Sequence, residues 1–179
     1  MKKILLIILA FGTFYIQADD TKFGVGYTTS SWDDIINEGD SLSLGSLELT
    51  AFRSFDNGFA AEVGIAEGIG DDSLGSVTAE LDTSFFVRGF YNINDNFYVN
   101  AIWGNIEATA TAGALSASAS DTDLGFGVGV MFSIPNSDNM FRLGYEDIEE
   151  MNQVSLKLLF WRSYLKIKGH FYAPFFSSK

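Results

Sequence analysis

At 179 residues the chain has the length of one domain. Its 15% aromatic and 19% charged content excludes a disordered polymer. The 23 acidic against 11 basic residues, net −12, remove the basic footprint a nucleic-acid binder needs; no Cys and a single His remove disulfides, thiolate metal sites and His-cluster metal sites.

The chain begins with Lys2 and Lys3, then an apolar run from Ile4 to Phe11 that continues through Phe14, Tyr15 and Ile16. After Ala18 the sequence turns acidic at Asp19 and Asp20. That order predicts a secretory signal peptide over 1–18, too short for a membrane-spanning helix. An uncleaved anchor is the alternative.

From residue 22 on, the hydrophobic period is two, which is the period of strands. Phe23, Val25 and Tyr27 alternate with Gly24, Gly26 and Thr28. Leu47 and Leu49 alternate with Glu48 and Thr50, and Phe59 to Ile65 alternate with Ala60, Glu62 and Gly64. In Val77–Tyr91 one parity is apolar and the other carries Glu80, Asp82, Ser84 and Arg88. The same pattern returns at Phe97–Gly104, Leu124–Phe132, Phe141–Glu146 and Val154–Phe160. Eight strands of about ten residues have the length that crosses a bilayer when tilted. The fold expected is therefore all-β, an eight-stranded antiparallel up-and-down transmembrane β-barrel over 19–160.

The links alternate in length. Asp56-Asn57-Gly58, Asn92–Asn96 and Ser133–Asn139 are short and polar, and Asn-Gly supplies the positive φ of a primed hairpin turn. The links near 29–41, 67–75, 108–122 and 147–152 are longer. The third, a run of Ala, Thr, Ser and Gly, is expected to be a flexible loop. Short turns at one end and longer links at the other match an outer-membrane barrel.

Aromatics bracket each short turn: Phe55 and Phe59, Tyr91 and Phe97, Phe132 and Phe141. Phe23 opens the first strand and Phe160 closes the last, so these eight are expected to form an interfacial girdle. Tyr27, Trp32, Trp103 and Tyr145 are candidates for the opposite girdle. The other parity places Glu48, Glu62, Glu80, Asp82 and Glu146 inward with Arg88, Arg142 and Lys157, a polar network filling a barrel of this size. Buried charges must be paired, and five acids against three bases leave an imbalance. A structural plug is expected; a proton or ion path is the alternative. Gly24, Gly26, Gly125, Gly127 and Gly129 are expected to leave room for large inward neighbours.

These features resemble the small outer-membrane β-barrel proteins of Gram-negative bacteria, nearest to the OmpA transmembrane-domain and OmpX-like families. Val154-Ser155-Leu156-Lys157-Leu158-Leu159-Phe160 is similar to the terminal strand that the barrel-insertion machinery reads in that family. The resemblance implies an outer-membrane location, contact with lipid and lipopolysaccharide, and a structural or surface-interaction role in the cell envelope without catalysis. The members end at that aromatic or continue into a folded domain. Here 161–179 is a basic-aromatic extension, alternating again over Tyr164–Phe171; lying on the membrane surface, pairing as an extra strand, a poorly ordered terminus, and closing the barrel itself over 163–172 are the alternatives.

The lone His170 lacks the His-x-Ser pattern of a barrel lipid A deacylase, since Tyr172 stands in the serine position. No catalytic residue, cofactor or metal ligand is assigned. The acidic links hold Asp33, Asp34, Glu38 and Asp40, then Asp71 and Asp72, then Asp147, Glu149 and Glu150. Oxygen ligands suit divalent cations, so these acids are candidates for bridging to lipopolysaccharide phosphates. A narrow channel for small solutes and a soluble lipocalin-like barrel are the rival functions.

Overall fold

A computed structural model describes residues 21–33 and 40–161. The expected signal segment, the extension beyond Trp161, and Asp34 and Glu38 lie outside the described residues. Ten strands follow in order: β1 Thr21–Asp33, β2 Ser41–Ser54, β3 Phe59–Ile69, β4 Asp71–Leu74, β5 Val77–Leu81, β6 Ser84–Asn92, β7 Phe97–Ala112, β8 Leu115–Ser133, β9 Met140–Ile148 and β10 Met151–Trp161.

Eight of them form a closed antiparallel barrel. The ring runs β1-β2-β3-β6-β7-β8-β9-β10 and closes through β10 on β1, with Phe23 opposite Phe160 and Tyr27 opposite Leu156. Both edges of β1 are thereby occupied, and Met151–Trp161 is the strand that closes the described ring; the alternative closing segment 163–172 lies outside the described residues. The Asp56–Gly58 turn has Asn57 at φ 69° and Gly58 at φ 81°, the conformation that a primed turn demands and that Asn-Gly adopts at least cost. Phe55 N–H donates to the Phe59 carbonyl at 2.8 Å and ties that turn shut.

The other two strands, β4 and β5, continue β3 and β6 past the ring. β5 pairs with the upper half of β7, Thr78 opposite Thr111 and Leu81 opposite Ala108. The strand direction passes the break at Asp82 because Asp82 N–H still donates to the Glu107 carbonyl at 2.8 Å. β7 and β8 stay paired up to Ala112 opposite Leu115, where Gly113 turns the chain at φ 62°. The segments near 67–75 and 108–122, expected as loops, are thus strands. Ala alternating with Thr and Ser has the same period of two as the barrel wall, and small side chains do not disturb the ladder. Beyond the last β8–β9 pair, Phe126 opposite Asp147, β8 runs on for about ten residues, roughly 30 Å.

Within the ring, side chains alternate as the sequence pattern predicts. The outward parity presents an apolar belt, including Leu49 at 54%, Phe126 at 65% and Leu156 at 53% exposure. An exposed apolar band of that extent on a closed barrel is a surface made for hydrocarbon, not water. Glycines on the inward parity make room for large neighbours. A Cβ on Gly26 would meet the stem of Lys157, one on Gly127 would meet Asn100 and Glu146, and one on Gly129 would meet the Tyr98 ring.

Candidate functional site

The barrel interior is stacked in three layers. At the short-turn end Phe52, Ala60, Phe90, Tyr98, Met131 and Leu159 form an apolar plug. Phe90 meets Phe52 edge-on at 5.6 Å and Tyr98 edge-on at 5.3 Å, the arrangement aromatic quadrupoles prefer. At the opposite end Ala66, Phe86, Ile102, Ile148 and Met151 form a second apolar layer, against which Trp32 and Ile106 pack. Trp32 was a candidate for the outer girdle. It lies on the even, inward parity of β1 and packs inside.

Between these layers lies a buried ion cluster. Arg88 is its hub: Nε donates to Glu146 Oε1 at 2.7 Å, Nη2 to Glu146 Oε2 at 2.9 Å, and Nη1 to Glu48 Oε2 at 3.1 Å. Lys157 Nζ reaches Glu62 Oε1 at 3.1 Å and also contacts Glu48. Arg142 pairs with the other oxygen of Glu62. All six residues are at most 4% exposed. Asn100 Nδ2 donates to Glu146 at 2.6 Å and the Thr28 hydroxyl to Glu48 at 2.5 Å, so the carboxylates have neutral donors as well. The cations also lie over rings, Arg88 4.0 Å from Phe86 and Arg142 4.7 Å from Phe90. Three acids face three bases here. The sequence expectation of five acids counted two that stand elsewhere.

Those two are Glu80 and Asp82. Glu80 is exposed on β5, and Asp82 is half-buried at the mouth, where it accepts from the Thr109 hydroxyl at 2.8 Å. Their sequence parity is that of Arg88, but the β5–β6 break carries one extra residue against β7: Phe85 lies opposite Asn105 and Leu81 opposite Ala108, so Glu80 falls opposite Thr109 on the outward face while Arg88 falls opposite Ile102 on the inward one. Above the cluster a cavity of about 30 Å³ is lined in part by Ser30, Ser46, Ser84 and Gln153. That is room for about one or two waters, and no more.

On the outer wall the expected girdle residues sit at the short-turn end. Phe23 opposes Phe160, Phe59 opposes Tyr91, and Phe132 opposes Phe141. Phe55, Phe59, Tyr91, Phe97, Phe132 and Phe141 are each 45–55% exposed. Phe59 and Tyr91 touch with ring centroids 5.1 Å apart. Toward the other end Tyr27, Trp103 and Tyr145 are exposed.

Past Trp103 on β7 and Leu124 on β8 the hydrophobic side of the strands changes over. The parity that was apolar becomes Asn105, Glu107, Thr109 and Thr111, opposite Thr122, Ser120, Ser118 and Ser116. Thr109 and Ser118 hydroxyls lie 2.7 Å apart. The inward parity becomes Ala108, Ala110 and Ala112, opposite Ala119, Ala117 and Leu115. A four-stranded ribbon, β4-β5-β7-β8, therefore stands above the barrel with one hydroxyl face and one small apolar face. Sequence reasoning missed it as structure because the run's composition suggested a loop; its strict alternation was the available signal.

The charge on this end has one sign. Among the described residues the bases are Lys22, Arg53, Arg88, Arg142 and Lys157, and none is on the ribbon or the rim beside it. Asp121 and Asp123 stand on β8 just past its last pair with β9, and Asp147, Glu149 and Glu150 stand at the β9–β10 turn. Partial burial and then the Asp121 charge push the Asp123 carboxyl up. Asp72 goes the other way: the Ser43 and Ser73 backbone N–H groups, each at 2.8 Å, hold its carboxyl below the usual range. Among the described residues no three acids or histidines converge on a metal-sized gap.

No family model and no curated protein matches this chain in sequence. Solved structures do match in fold. The attachment invasion locus protein Ail of Yersinia pestis superposes with a TM-score of 0.54 at 16% identity, covering 80% of this chain and 97% of Ail. A second Ail structure, in complex with the heparin analogue sucrose octasulfate, gives 0.53. Neisserial surface protein A gives 0.62 at 12% identity, covering 79% of this chain and 96% of that one. With its closed eight-strand ring, lipid-type outer wall and filled lumen, the chain has the fold of the small eight-stranded outer-membrane β-barrels.

Proposed function

We propose that this protein resides in a bacterial outer membrane, is exported there by residues 1–18, and acts through the strands it raises above the surface. The observation that carries this reading is the sealed interior. A balanced ion cluster lies between two apolar layers, so the lumen offers neither a solute path nor a catalytic cleft, and the elaborated surface is the ribbon. On this reading the short turns are periplasmic, the eight girdle aromatics sit at the inner interface and the ribbon is external. The Glu48, Glu62, Arg88, Arg142, Glu146 and Lys157 cluster is a structural plug. β10 serves as the strand the insertion machinery engages, and the basic extension stays on the periplasmic side.

The two rivals fare worse for stated reasons. A small-solute channel would need water through both apolar layers. A lipocalin-like barrel would need an open apolar lumen and a wettable wall, and here the lumen is filled and crossed by an ion cluster while the wall is apolar. The sulfated ligand in the Ail structure does not transfer either, because a polyanion would meet only carboxylates on the described external strands. Lipopolysaccharide phosphates would approach the same rim only with divalent cations between, so the acidic links serve as cation bridges to lipid rather than as a site closed by protein alone.

The test uses refolded full-length protein. Unboiled samples should migrate apart from boiled ones on a gel, and planar bilayers should show no step conductance. Replacing 106–122 with a two-residue turn should leave both results unchanged and abolish contact with the surface partner. Step conductance in the intact protein, or full activity without the ribbon, would overturn the reading.

A further inference from the structure

The ribbon ends in two turns, and they are built alike. Leu74-Gly75-Ser76-Val77 joins β4 to β5, and Ala112-Gly113-Ala114-Leu115 joins β7 to β8. Each places glycine second, Gly75 at φ 65° and Gly113 at φ 62°. A small residue follows, and an apolar residue flanks the turn on either side. Leu74 lies opposite Val77, and Ala112 opposite Leu115. One step past the Thr78–Thr111 pair, Val77 comes level with Ala112. The four strands therefore finish in a single transverse row, Leu74, Val77, Ala112 and Leu115, all on the alanine face. Leu115 is 77% exposed, more than any other large hydrophobic residue among the described residues. Gly75, Ser76, Gly113 and Ala114 are exposed too, and neither the row nor its turns hold a charge.

What lies beneath the tip limits its partner. Two rows down stands Asp72, whose carboxylate accepts from the Ser43 and Ser73 backbone N–H groups. Three rows down Asp71 faces Glu80. The uncharged part of the tip is thus roughly 7–10 Å deep along the strands. That is the depth at which an interfacial element seats itself between headgroups and upper acyl chains. A stable protein contact takes about 800 Å² from each side, far more than two tight turns can bury. The membrane that carries the barrel is out of reach, because the strands climb roughly 30 Å from the Trp103–Leu124 pair to the Ala112–Leu115 pair. No described base stands on the ribbon, so anionic headgroups find no partner there and meet the carboxylates just below.

We propose that the tip of the ribbon is a shallow insertion element for an apposed membrane with neutral headgroups, seated by Leu74, Val77 and Leu115. This rests on the reading of the ribbon as the external working surface. Apolar burial supplies the affinity, and the carboxylates below supply the choice of headgroup. One tip holds weakly, and many barrels on one cell surface act together.

The experiment uses full-length protein in nanodiscs, mixed with vesicles of phosphatidylcholine. The chain has no Cys, so Ala114→Cys carries a single environment-sensitive fluorophore at the tip, and Ser118→Cys carries it lower on the ribbon. Vesicles should shift the emission at 114 to the blue and leave that at 118 unchanged, and the nanodiscs should float with the vesicles. Raising the salt should not weaken either result. Leu115→Asp with Val77→Asp should lower partitioning onto the vesicles at least about tenfold, with the gel shift of the folded barrel retained. No blue shift at 114, equal flotation of the double variant, or tighter binding to phosphatidylglycerol vesicles overturns the proposal. A blue shift that needs no vesicles and grows with protein concentration overturns it too, since a second copy then covers the tip. If vesicles fail to bind while ribbon removal still abolishes surface contact, the insertion tip falls and the wider reading stands.

Discussion

β7 and β8 are each one continuous strand, yet their lower and upper halves are built on opposite rules. Below Trp103 and Leu124 the outward parity is apolar and mostly large, and the inward parity is Tyr98, Asn100 and Ile102 on β7 and Gly125, Gly127, Gly129 and Met131 on β8. Above them the outward parity carries hydroxyls with Asn105 and Glu107, and the inward parity, after Asp123 and Asp121 at the rim, is mostly alanine. Backbone pairing runs unbroken through the change. The β ladder is thus indifferent to medium, while the side chains record it residue by residue. The crossover marks where hydrocarbon gives way to water, within one residue pair on each strand.

The largest expected effect lies deep in the wall. Arg88→Leu leaves Glu48 and Glu146 buried without their main partner and should cost about 3–5 kcal/mol, seen as an earlier urea midpoint in lipid vesicles. Adding Glu146→Gln to that variant should recover part of the loss. Next is the crossover itself. Val128→Arg, in the belt, should cost about 2–4 kcal/mol in the same assay, whereas Ser118→Arg in the ribbon should cost nothing measurable. Equal costs at the two positions would move the membrane boundary. Smaller again is Gly26→Ala, where the added carbon meets the Lys157 stem and the Leu156 carbonyl; about 1–3 kcal/mol is expected. Gly113 lies at a tip with open space around it, so its cost is limited to the strain of φ 62° in a non-glycine residue.

The smallest effect concerns pH. The Asp72 carboxyl is held low by two backbone donors, so the tie from β4 to β2 is present above the unfolded carboxylate range. It is lost as pH falls through the lowered folded value. Amide exchange at Ser43 should therefore quicken at acid pH before any barrel amide does, and Asp72→Asn should remove that pH response.

The barrel was legible from the period of two and from Asn57-Gly58, because both are local signals. The aromatic brackets were legible too, since the turns are short enough to place both flanking rings together. What the sequence hid was where each strand leaves the ring. Glu80 and Asp82 have the sequence parity of Arg88, but one extra residue at the β5–β6 break, against β7, exchanges the faces; such a slip is set by pairing with a distant strand, a non-local property. For Trp32 the obstacle was local. Aromatic character suggested an interface, but its even parity on β1 aims it inward. In the Ala108–Ser120 run the small-residue composition is that of a loop, while the alternation is that of the strands it forms.

The ion cluster also bears on how the chain completes itself. Its members come from β2, β3, β6, β9 and β10, so partners lie as far apart in sequence as Glu48 and Lys157. Without β10 the interior holds three carboxylates and two guanidinium groups, a residual negative charge facing the lumen. Lys157 arrives on the strand that closes the ring and cancels it. Neutralisation and closure are therefore a single event, and an open sheet of this sequence carries its own electrostatic reason not to stay open.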